Sequence, residues 1–112
     1  MFRVSKEQTF SWPVVVTAPA DGIQQEIGRF NARFRLLSID EAAESADVAR
    51  GGGDELLLEK ILVGWDEVQT EDGQDFPFFP ENRRILTGNP CVRAAIFRAY
   101  FHAASGGARE KN

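Results

Sequence analysis

Two runs set the architecture of the first half of the chain: Phe10-Ser11-Trp12-Pro13-Val14-Val15-Val16-Thr17 and Arg29-Phe30-Asn31-Ala32-Arg33-Phe34-Arg35-Leu36. In the first, Phe10, Trp12, Val14 and Val16 alternate with Ser11, Pro13, Val15 and Thr17, the period of two expected of a strand with one buried face. Pro13 has no N–H to give to a ladder, so this strand belongs at a sheet edge or turns the proline nitrogen outward. In the second run, Phe30, Ala32, Phe34 and Leu36 share one face, and Arg29, Arg33 and Arg35 share the other. Between the runs, Pro19-Ala20-Asp21-Gly22 combines a fixed φ, an Asx-turn side chain and a residue that accepts positive φ, so the chain reverses there. A hairpin results, with its second strand predicted from Arg29 to Leu37.

The remainder reads as helical. Ser38-Ile39-Asp40-Glu41 forms a capping box that starts a short helix reaching about Arg50. Gly51-Gly52-Gly53 ends it and is the one hinge the sequence offers. Asp54 caps a second helix, in which Leu57, Ile61, Trp65 and Val68 recur at helical spacing with Leu58 and Leu62 beside them. The polar stretch Thr70 to Asp75 breaks that pattern, and Phe76-Pro77-Phe78-Phe79-Pro80 makes an irregular aromatic loop. A short helix from Glu81 to Thr87 stops at Gly88. Asn89-Pro90 then opens a last helix with Val92, Ala95, Ile96, Ala99, Tyr100 and Ala103 on one side and Phe97 and Phe101 adjacent. Strands first and helices after is the α+β pattern. One domain over residues 1–105 with a flexible tail over 106–112 is the expectation.

At 112 residues, with 43% hydrophobic and 27% charged positions, the chain suits one packed core rather than two. A formal net charge of -4 weighs against a nucleic-acid footprint. Cys91 is the only cysteine, which excludes an internal disulfide and a multi-Cys zinc site and points to a reducing cytoplasm. The beginning of the sequence lacks a long apolar run, and nowhere do eighteen apolar residues follow one another, so neither a signal peptide nor a membrane span is expected.

The residues offer little for catalysis. Cys91 and His102 stand eleven positions apart on one predicted helix, about 16 Å, too far to form a nucleophilic pair. The acidic set Asp66, Glu67, Glu71, Asp72 and Asp75 does not fit an EF-hand, because the register puts Val68 and Phe79 where carboxylates are needed. A solvated acidic loop able to meet a basic partner is the reading kept, with no metal, no cofactor and no enzyme activity expected. Arg29, Arg33 and Arg35, with Arg3 and Lys6 earlier in the chain, make a basic set that interleaves with Phe30 and Phe34. Alternation sends those aromatics to the opposite face, which disfavours base stacking. What is left is aromatic surface: Trp65, Phe76, Phe78, Phe79, Tyr100 and Phe101 are the candidate protein-binding residues, with Arg33 and Arg35 as a second, polar face.

The run Val63-Gly64-Trp65-Asp66-Glu67-Val68, followed by Asp72-Gly73, Phe76-Pro77-Phe78, Asn82, Pro90 to Ile96 and Ala99-Tyr100-Phe101, resembles the small tail assembly chaperones of siphophages and related prophages. The N-terminal half resembles that group too, in its Pro-Ala-Asp-Gly turn, its alternating Arg-Phe strand and its acidic helix, so the resemblance extends from about Phe10 to Phe101. It implies a non-enzymatic factor in the bacterial host cytoplasm that binds the tail tape measure protein, recruits tail tube protein subunits and self-associates. The alternatives are a nucleic-acid-binding or regulatory module using the Arg29, Arg33 and Arg35 face, and a minor structural tail protein.

Overall fold

A computed structural model describes residues 8–50 and 54–106. Strand β1 (Thr9–Ala20) pairs antiparallel with β2 (Ile23–Arg35) around a two-residue turn, Asp21-Gly22, whose φ angles of 47° and 86° are both positive. A tight hairpin turn of the right twist needs that pair of angles, and Asp-Gly supplies them. Helices α1 (Ile39–Arg50) and α2 (Asp54–Ile61) follow, then a third strand, β3 (Leu62–Asp66), then α3 (Pro80–Thr87) and α4 (Pro90–Ala104). The sheet order is β1-β2-β3, so the fold is α+β with β1 at an edge.

The register places Phe10 opposite Phe34, Trp12 opposite Ala32 and Val14 opposite Phe30, so the apolar residues of both runs share one face. Helix α4 lies over that face and buries Val92, Ala95, Ile96, Ala99 and Tyr100, with the two alanines letting its backbone approach. Phe34 is fully buried, and its ring meets Tyr100 edge-on at 5.5 Å and Phe10 at 5.7 Å. The Tyr100 hydroxyl accepts the Leu37 N–H at 3.0 Å, which ties the end of β2 to α4. From α2, Leu57, Leu58 and Ile61 complete the core. Arg93 holds this corner by ion pairs to Asp54 and Glu55 at 2.9 and 2.7 Å and by donating to the Thr87 carbonyl.

Pro13 belongs where β1 places it. The Leu36 N–H donates to the Gln8 carbonyl, so even-numbered β1 residues turn their backbone to β2 and odd-numbered ones turn it outward. The missing N–H of Pro13 therefore costs no ladder bond. Val15 points its carbonyl the same way and accepts from Arg98 of α4 at 3.4 Å. Pro19 falls on this outward parity as well, so the β1 edge is poor at pairing with another strand.

Two expectations need correction. The second strand begins at Ile23, six residues before Arg29, because a bulge at Ile27-Gly28 breaks the alternation that would have revealed it. The second helix stops at Ile61 rather than reaching Val68, so Trp65 and Val68 are not helical. Gly64 is the reason visible in the chain: it costs about 1 kcal/mol inside a helix, whereas in β3 it faces Arg33, whose Cβ would lie 3.2 Å from any added Cβ. The capping box of α1 forms as expected, with Ser38 Oγ accepting the Glu41 N–H and Glu41 accepting the Ser38 N–H. So does the Asn89 cap of α4, whose side chain accepts the Cys91 N–H. The Gly51-Gly53 hinge and the tail beyond Gly106 lie outside the described residues, as do Arg3 and Lys6. No helix among the described residues is long and apolar enough to cross a membrane.

Replacing Tyr100 by Phe removes only the hydroxyl that receives the Leu37 N–H. We expect Tyr100→Phe to lower the unfolding free energy by about 1 kcal/mol, seen as an earlier urea midpoint with an unchanged m-value. An unchanged midpoint would mean that this bond does not hold α4 to the hairpin.

Candidate protein-binding surface

The six aromatic candidates divide by what surrounds them. Trp65 and Tyr100 are buried, 8% and 4% exposed, so they build the core rather than offer a surface. Phe76 and Phe78 are half-buried against Trp65, the first stacked at 6.1 Å and the second edge-on at 4.8 Å. Phe79, at the start of α3, and Phe101, in the last turns of α4, are 56% and 54% exposed. Phe101 extends a partly buried row through Phe97, at 6.4 Å, and Tyr100, at 5.4 Å.

Trp65 organises the loop that follows it. Its Nε1–H donates to the Phe76 carbonyl at 2.7 Å, and the Phe76 N–H donates to the Val68 carbonyl at 2.9 Å. Glu67, at φ 66°, turns the chain out of the sheet, and Gly73, at φ 84°, turns it back. Asn82 then donates to the Pro77 carbonyl, which fixes the loop to α3. Gly64, Trp65, Phe76, Phe78 and Asn82 thus form one structural unit. Asp66, Glu67 and Asp75 line an open cleft beside it, of about 290 Å³, together with Trp65, Phe76 and Pro77. Among the described residues no group of three or more acidic, His or Cys side chains is arranged to hold a metal ion.

The arginine face is partly neutralised. Arg29 pairs with Glu26 at 2.8 Å, and its guanidinium holds the Glu26 carboxyl below the usual carboxylate range. Arg35 is half-buried and grips Glu41 with two nitrogens, at 2.9 and 3.2 Å. Arg33 is exposed and donates to Ser11 Oγ and Thr9 Oγ1 across the hairpin. Of the two polar candidates, Arg33 is thus held by neutral partners and Arg35 by a carboxylate.

Residues that sequence reasoning passed over expose more apolar surface. Ile23 and Ile27 of β2 are 65% and 60% exposed, and Ile85 of α3 is 60% exposed. Ile27 borders a second cleft of about 290 Å³, whose floor includes Val16, Phe30, Leu86 and Val92. The only hint in the sequence is a pair of isoleucines in the otherwise polar Ile23-Gln24-Gln25-Glu26-Ile27. Comparison with protein-family models, curated proteins and solved structures finds no match.

The Glu41 carboxyl is lowered from its ordinary 4.5 to about 2, first by the Arg35 guanidinium and next by the Ser38 N–H. A folded value below the unfolded one stabilises the fold fully above pH 4.5, and that contribution is lost as the pH falls toward 2. Glu41→Gln should therefore lower the denaturation midpoint at neutral pH, with the gap to the parent protein closing between pH 4.5 and 2. A gap that does not change with pH would contradict the pairing.

Proposed function

We propose that this protein is a non-catalytic tail assembly chaperone, which binds the tape measure protein and recruits tail tube protein subunits while a phage tail is built in the bacterial cytoplasm. The observation that carries the reading is the amount of apolar surface left outside a well-packed core: Ile23, Ile27, Phe79, Ile85 and Phe101 are all more than half exposed. Ile27 adjoins an apolar cleft floored by Val16, Phe30, Leu86 and Val92, and an exposed apolar side chain beside such a cleft suits contact with another polypeptide. The resemblance from about Phe10 to Phe101 gives those contacts a client.

Physically, many weak contacts from repeated copies can hold a long polypeptide reversibly, because each bound copy raises the effective concentration of the next. Self-association fits that role. It would use side-chain surface, since the β1 edge is closed by Pro13, Pro19 and the Arg98 contact. The rival reading, a nucleic-acid module on the arginine face, is disfavoured by the carboxylate partners of Arg29 and Arg35.

Co-expression with a tape measure protein and a tail tube protein tests the proposal. The chaperone should co-purify with the tape measure protein and keep it soluble, and Phe79→Ser with Phe101→Ser should weaken capture while leaving the protein folded, the unfolding free energy falling by about 1 kcal/mol for Phe101→Ser, whose ring touches Phe97 and Tyr100, and by less for Phe79→Ser. Presence of the protein in purified particles, or a salt-dependent complex with DNA without tape measure capture, would overturn it.

A further inference from the structure

The sheet ends unevenly. β3 pairs with β2 only from Asn31 to Phe34 and leaves the sheet after Asp66, where the left-handed backbone of Glu67 turns it away. β2 continues back to Ile23, paired on its other side with β1. Among the described residues nothing pairs with the edge of β2 from Ile23 to Phe30, in the lane that β3 vacates. The second cleft opens in that lane: Ile27, Gly28, Arg29 and Phe30 of the edge form one wall, and Glu67, Val68 and Gln69 of the departing chain form the other.

Three features say what this lane accepts. The first is apolar depth, since the floor is Val16, Phe30, Leu86 and Val92. Past the bulge, Ile23 and Ile27 share the core-side face on either side of Gln25, about 13 Å apart along the hairpin. The second is Gly28. Its φ is not positive and nothing lies within 4 Å of where a Cβ would be, so apart from its place at the bulge neither backbone strain nor crowding within the chain calls for glycine. A glycine on a strand with open space above it suits the close approach of another backbone. The third is charge. Asp66, Glu67 and Asp75 border the adjoining cleft, which shares Glu67, Val68 and Gln69 with this one, and among the described residues none of the three acids joins an ion pair, whereas Arg29, in the lining of this cleft, is paired with Glu26.

We infer that the open edge of β2 from Ile23 to Phe30 receives an extended segment of a partner polypeptide, in which apolar residues alternate with lysine or arginine. The segment adds a strand in the lane left by β3, placing its apolar side chains over Gly28 and the cleft floor and its cations against the acidic turn. The bulge at Ile27-Gly28 limits regular pairing to a few residues, so single contacts are weak and exchange readily. This site rests on the reading of the protein as a polypeptide-binding factor, and it names where and by what chemistry the client is held.

The test uses the full chain, labelled with nitrogen-15, and two synthetic octapeptides, one alternating valine with lysine and one alternating valine with glutamate. Neither is a tail component, so failure here is separable from failure of tape measure capture. The valine-lysine peptide should shift the backbone amides of Gln24 to Phe30 and Glu67 to Gln69 saturably, and the valine-glutamate peptide should bind about tenfold more weakly. Gly28→Val, which meets no neighbour and no backbone strain, should keep the parent denaturation midpoint and weaken binding about tenfold or more. Asp66→Lys with Glu67→Lys should reverse the preference between the peptides. The inference is overturned if neither peptide shifts these amides, if Gly28→Val binds as the parent does, or if the same amides shift with protein concentration alone, which would make a second copy the occupant.

Discussion

One indole hydrogen bond decides where the sheet stops. A buried Trp65 ring must find an acceptor for its N–H, and it finds the Phe76 carbonyl at 2.7 Å, eleven residues on. That contact requires the chain between them to fold out and back, which it does through the positive φ angles of Glu67 and Gly73. β3 is therefore only five residues long, while its neighbour β2 has thirteen. The acidic turn, the aromatic loop packed on Trp65 and the unpaired lane along β2 all follow from this one fastening.

The rest of the molecule supplies a rigid base for that edge. Helix α4 lies along the inner face with two alanines at its closest approach, and Phe34 and Tyr100 lock it through ring contact and the hydroxyl bond to Leu37. The helix covers the sheet from Phe10 to Val16 but not the distal hairpin, where residues 21 to 29 are all exposed. An isolated two-stranded ribbon is marginal in water. Its stability here derives from the packed half of the same strands, and its Asp21-Gly22 turn sets the register that keeps Ile23 and Ile27 on the core-side face.

Much of this was legible in the sequence, and the omissions have physical causes. The alternation from Phe10 to Val16 and from Phe30 to Phe34 exposed the hairpin because each strand has one wet and one buried face. The caps at Ser38 and Asn89 were equally plain, since their side chains bond within a few residues of themselves. β3 was hidden because Leu57, Ile61, Trp65 and Val68 satisfy a helical period by coincidence, while a bulge near Val63 destroys the period of two. The start of β2 was hidden because the bulge at Ile27-Gly28 interrupts the alternation and neither face of the ribbon beyond it is buried. Among the candidate contacts, the sequence could identify large aromatics but not their depth: Trp65 and Tyr100 went inside, Phe76 and Phe78 half inside, and only Phe79 and Phe101 stayed out. The isoleucines of the hairpin and Gly28 acquire meaning only when the three-dimensional lane between β2 and the acidic turn is seen.

A small domain of this kind separates two tasks. The core under α4 holds the shape, and the truncated sheet presents backbone and apolar groups that a longer β3 would have consumed. Amide hydrogen exchange on the free protein at low concentration tests this division most directly. The Arg33 N–H, facing β3, should exchange slowly, and the Arg29 and Glu26 N–H groups, facing the vacant lane, should exchange orders of magnitude faster. Equal protection at Arg33 and Arg29 would show that the lane is already filled in solution, and the account of a truncated sheet with an open edge would be wrong.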